Sequence, residues 1–79
     1  MDDIKDIVRK NILGQEYKIK QIEIDLELLL AKNFDYLKES DPDAYAYQIA
    51  CQKNDVECLK LLIERRNIEI NFIKVKNNL

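Results

Sequence analysis

Enzyme chemistry needs side chains that attack, carry protons or hold metals, and this chain has few of them. It contains no histidine, a single serine (Ser40), two cysteines (Cys51 and Cys58), one glycine (Gly14) and one proline (Pro42). Without histidine the usual base poised near neutrality is missing. Ser40 stands in Ser40-Asp41-Pro42-Asp43, which reads as a helix start, because Ser and Asp oxygens accept orphan backbone amides and Pro suits a first turn. One glycine cannot build a phosphate-cradling loop. Asp41 and Asp43 could offer oxygens to a hard cation, but the twelve-residue loop with its central Gly and bidentate Glu is absent, so neither metal nor cofactor is expected. Cys51 and Cys58 are seven apart, roughly 10 Å along one helix and too far for a disulfide, whereas a turn between them would let them approach. Neither has a cationic neighbour in sequence to stabilise a thiolate, so both read as inert core filling. The expectation is a protein that is not an enzyme.

Charge and hydropathy exclude other classes. Thirteen Lys and Arg against fifteen Asp and Glu leave a net charge of -2, too balanced for a nucleic-acid partner to be expected. No apolar run reaches the length that spans a bilayer, and Met1-Asp2-Asp3 does not open a secretory signal, so a cytoplasmic location away from membranes is expected.

The elements that would position a site come from periodicity. Residues 1–14 predict a short amphipathic N-terminal helix or cap, with Ile4, Ile7, Val8 and Ile12 at helical spacing, Asp2, Asp3 and Asp6 in the first turn, and Gly14 as its stop. From Gln15 to Glu39 two templates compete. Ile19, Ile22, Leu26, Leu29, Leu30, Phe34 and Leu37 make a helical stripe, whereas Ile22, Ile24, Leu26 and Leu28 alternate with Glu23, Asp25 and Glu27 as in a strand. Helix is favoured by the strong formers Leu, Glu, Lys and Gln, and Ile24 and Leu28 then fall on the opposite face, as on a helix packed between neighbours. Farther on, Tyr45, Ile49 and Gln52 form one stripe and Val56, Leu59, Leu62 and Ile63 another, with Asn54-Asp55 as a turn between two antiparallel helices. Ile68, Ile70 and Phe72 alternate with Glu69 and Asn71, so residues 68–76 read as an extended tail, strand or coil.

The run from Ala44 to Asn71 resembles an ankyrin repeat. Ala50-Cys51 match its small-residue pair, Asn54 its glycine turn, and Glu57 to Glu64 its second helix. Sliding the chain by about 33 residues, the ankyrin period, superposes Leu26 on Leu59, Leu28 on Leu61, Leu29 on Leu62 and Leu30 on Ile63. Tyr45-Ala46-Tyr47-Gln48 departs from the T-P-L-H turn, the closing glycine is absent after Arg66, and residues 12–20 match a first helix poorly. An ordinary helical hairpin in a small bundle accounts for the same leucine spacing. The expected fold is therefore all-α: one domain over residues 1–79, built of short antiparallel hairpins stacked as an ankyrin-like solenoid or bundle, with a divergent first repeat at 15–43 and a second repeat plus extended tail at 44–79. The alternative is α+β, with a small antiparallel sheet from 17–28 and 68–76.

That resemblance implies a non-catalytic protein-binding module working through the inter-repeat finger (Asp41, Asp43, Ala44) and the inner helix face (Gln52, Lys53), toward a partner with a basic surface. The apolar tail residues Ile68, Ile70, Phe72 and Val75 need a cover, whether by folding back on the bundle, by a second chain or by more of a longer protein, and self-association into a homo-oligomer or a bound partner is expected there. The second functional class is a small stoichiometric inhibitor, such as an antitoxin or a viral antagonist of host defence.

Overall fold

A computed structural model describes residues 3–79; Met1 and Asp2, with the first-turn role expected of Asp2, lie outside the described residues. The chain is all-α. Helix α1 spans Asp3–Leu30, a 3-10 turn covers Asp35–Leu37, and helix α2 spans Pro42–Lys76. The two helices run antiparallel and form a rod 66 Å long and 16 by 10 Å across.

Each end of α2 is set by local chemistry. Asp41 is the N-cap, its carboxylate accepting from the Ala44 amide at 3.0 Å, and Pro42 occupies the first turn where its missing N–H costs nothing. The Ser40 hydroxyl donates to the Tyr36 carbonyl at 3.1 Å, closing the turn before α2, while the amide-accepting role read for this run falls to Asp41. Asp43 in the first turn and Lys74 and Lys76 in the last complement the helix dipole. The Asn77 side-chain amide donates to the Ile73 carbonyl at 2.8 Å, and Asn78 adopts left-handed φ of 58°, a conformation Asn tolerates.

Shielded positions recur at alternating intervals of four and three, from Val8 to Leu29 in α1 and from Tyr45 to Asn77 in α2. That is the heptad seam of an antiparallel coiled coil. Ile12, Ile19 and Ile70 are its buried centre, with Val8, Ile63 and Ile73 packed against them, and Val56 is buried nearer the connection. Each such side chain removed from water contributes about 1.5–3 kcal/mol.

Four expectations are corrected. Gly14 does not stop a helix; α1 runs through it. A mid-helix glycine costs about 1 kcal/mol, less than burying Ile12 and Ile19 on its two sides returns. Asn54-Asp55 is no turn, because α2 is continuous and carries Val56 and Leu59 into the same seam as Ile49 and Gln52. Ala44 to Asn71, the run resembling an ankyrin repeat, therefore lies on one helix. The tail at 68–76 is helical to Lys76, neither strand nor coil, and there is no strand among the described residues, so the α+β alternative falls.

The alternation that suggested strands has a helical cause. Residues two apart on an α-helix lie about 200° apart, on opposite faces. Ile22 and Leu26 point into the seam while Ile24 and Leu28 point away, and buried Ile70 sits between exposed Ile68 and Phe72. A helix that is apolar front and back prints a strand-like pattern.

Candidate interaction surface

The sequence-derived site residues divide by location. Asp41 and Asp43 are exposed at the start of α2, where Asp41 spends a carboxylate oxygen on its cap; Ala44 is half-buried beside them. Gln52 is half-buried, and its amide donates to the Leu29 carbonyl at 2.8 Å and the Lys32 carbonyl at 3.1 Å. Leu29 lies in the last turn of α1 and Lys32 just beyond it, so Gln52 ties α2 to the carbonyls where α1 ends, sharing that of Leu29 with the Lys32 amide. Lys53, next in sequence, is exposed. These five residues surround the connection but do not converge on a common surface: Gln52 faces α1 and Lys53 faces water.

The expected self-association residues also divide. Ile70 is only 4% exposed and belongs to the core, a correction that follows from its place in the inner seam. Ile68, Phe72 and Val75 are 69%, 64% and 79% exposed. They lie on one line, again at intervals of four and three, that continues back through Leu61 and Cys58 to Tyr47, with Arg65, Asn54 and Cys51 at the intervening positions. Helix α2 thus carries a second heptad seam on the side turned away from α1. Cys58, expected in the core, is exposed on this line, and Cys51 is half-buried; both are free thiols. The hydrogen bond between Tyr47 and Cys51, one turn apart, and then the charge of the thiolate, hold the Tyr47 phenol above its usual value.

Helix α1 repeats the arrangement. Ile7, Tyr17, Ile24 and Leu28 are exposed on its back face, with Lys10, Gly14 and Gln21 at the intervening heptad positions. Gly14 lies in open space: a Cβ added there meets nothing within 4 Å. Sequence reading found Ile24 and Leu28 on this face but not its continuation, because a stop at Gly14 and a turn at Asn54-Asp55 cut both outer lines in two.

Charge flanks the outer seams unequally. Beside the α2 line stand Asp43, Asp55, Glu57, Glu64 and Glu69, with Lys76 over the Phe72 ring at its end, whereas Lys18, Lys20 and Lys32 stand beside the α1 line with Asp6, Asp25 and Glu27. A shallow groove of about 510 Å³ opens between the helices near the connection, lined by Leu28, Leu59 and Cys58 with Asp25, Asp55 and Lys32 at its edge. Among the described residues no polar or charged residue is buried, and no group of three or more Cys, Asp or Glu is placed to hold a metal. No helix of the described residues is long and apolar enough to cross a membrane. The surface therefore offers apolar contact edged by charge. The architecture is that of a two-helix antiparallel coiled-coil hairpin, and no family model, curated protein or solved structure matches the chain.

Proposed function

We propose that this protein is a non-catalytic protein-interaction module that offers the outer faces of its two helices to helices of another polypeptide. The observation that carries the reading is the second heptad seam on α2, with Leu61, Ile68, Phe72 and Val75 all exposed. Exposed apolar residues scattered singly need no explanation, but a line at heptad spacing is the pattern a partner helix fills. The ankyrin resemblance points to the same role by a different surface; its finger and inner helix would lie at residues 41–53, where the cap and Gln52 already have structural duties.

The test compares the full chain with a Leu61→Lys/Ile68→Lys/Phe72→Lys variant whose helicity by circular dichroism equals that of the parent. Polypeptides recovered from the native cell with the parent, further copies of itself included, are expected to be lost with the variant. Equal recovery by both chains, or substrate turnover by the purified protein, would overturn the reading.

A further inference from the structure

Resting on that reading, we infer that the outer seams are occupied by second copies of this chain, α2 of one copy lying antiparallel against α1 of the next in a side-by-side row. In an antiparallel coiled coil like flanks meet each other. Two α2 helices pairing back to back would set the Glu57 and Glu64 edges of both copies together, and two α1 helices, whose flanks mix Lys18, Lys20 and Lys32 with Asp6, Asp25 and Glu27, would leave the α2 seams of both copies uncovered. The mixed pairing sets the acidic α2 edge against the lysines of α1.

One register satisfies both lines at once. With Leu61 level with Ile24 of the next copy, Ile68 meets Tyr17, and Cys58 meets Leu28. In the same register Glu64 stands beside Lys20, Glu69 beside Lys18 and Asp55 beside Lys32. Of the polar interruptions, Arg65 and Gln21 fall level with one another, whereas Lys10 falls level with Val75 and Asn54 lies past the end of α1. Phe72 arrives opposite Gly14, whose surroundings within the hairpin are empty. A glycine in mid-helix carries a cost of about 1 kcal/mol with no turn or positive φ to require it; a facing aromatic ring supplies a packing reason. Glu57 against Glu27 is the single like-charge pair, at a solvated edge where such pairs cost a few tenths of a kcal/mol.

Tyr17 and Ile24 on α1 and Leu61 and Ile68 on α2 point to opposite sides of the hairpin, while Leu28 and Cys58 border the groove between its helices, so the main contact is head-to-tail. Such contacts extend into rows or close into rings of several copies, and two copies cannot satisfy each other.

Cysteine crosslinking of the full chain tests this, with Cys51→Ser and Cys58→Ser as background. Residues 17 and 68 face away from each other across both helices of one copy, about 20 Å of helix diameters, so any disulfide between them is intermolecular. Tyr17→Cys and Ile68→Cys variants are each expected to stay uncrosslinked alone under mild oxidation, to give a dimer when mixed, and to give a ladder beyond the dimer when combined in one chain. Lys18→Glu/Lys20→Glu should cut that crosslinking about tenfold, as two attractive pairs become repulsive, and Glu64→Lys/Glu69→Lys should restore it. Efficient self-crosslinking of either single variant would replace the mixed pairing by a symmetric one and overturn the inference. A chain that stays monomeric by light scattering at every concentration, yet still recovers a cellular protein through Leu61, Ile68 and Phe72, would sink the inference and leave the interaction role standing. A monomer that recovers nothing would sink both.

Discussion

The two seams of α2 are made from neighbouring residues of one helix with the same spacing and similar composition, yet one is a core and the other a surface. Ile70 is buried, while Ile68 and Phe72, two residues to either side, lie mostly in water. The difference lies in what each seam faces: the inner line meets a covalently tethered helix held close by a connection of eleven residues, from Ala31 to Asp41, and the described residues leave the outer line exposed at Leu61, Ile68, Phe72 and Val75. The tether keeps the local concentration of the inner partner high at any dilution, whereas the outer seam depends on a molecule that arrives by diffusion. Inner contacts therefore govern folding, and outer contacts govern association.

The sharpest way to break that division is one charge on each side of it. Ile70→Asp places a carboxylate in the buried cluster and should cost more than about 3 kcal/mol, enough to abolish the helical signal and cooperative melting of so small a chain. Ile68→Asp, two residues away, should leave helicity within error of the parent and lower association instead. If both variants unfold alike, or neither does, the two seams are not distinct.

A second test concerns the quality of the inner seam. Gln15 and Arg66 are half-buried heptad residues, and the Gln15 side-chain oxygen and Arg66 Nε are buried without hydrogen-bond partners. Ile70 packs with both Ile12 and Ile19, which puts Gln15 level with Ile70 and Arg66 level with Ile19. Polar side chains set in an apolar seam in this way fix register at a cost in stability. Gln15→Leu/Arg66→Leu should raise unfolding free energy by about 1–3 kcal/mol in chemical denaturation, while hydrogen exchange at the helix ends reports whether register loosens.

Smaller effects sharpen the comparison at the connection. Asp41→Ala removes the N-cap of α2 and should lower stability by about 1 kcal/mol, read as a shifted urea midpoint at unchanged slope. Gly14→Ala should act in opposite directions on the two seams. It stabilises the isolated hairpin by about 0.5–1 kcal/mol through helix propensity. In the row it adds a methyl group opposite Phe72 and should weaken crosslinking between residues 17 and 68. A loss of hairpin stability would show that the glycine serves the inner fold.

Fixed in the residues themselves were the helical class, the start of α2 at Ser40-Asp41-Pro42-Asp43, most of the inner stripe, and the apolar backs of Ile24 and Leu28. Each depends on side chains meeting groups within a turn or two along the chain, so nearest neighbours suffice. Continuity through Gly14 and Asn54-Asp55, the helical state of residues 68–76, and the burial of Ile70 rather than its neighbours were decided only when the two helices met. Glycine, asparagine and aspartate disfavour a helix by no more than about 1 kcal/mol each, which is decisive in an isolated segment. Against a partner helix over six heptad layers, from Val8 to Leu26 on one side and Val56 to Ile73 on the other, packing outweighs those local preferences, and the helix runs on.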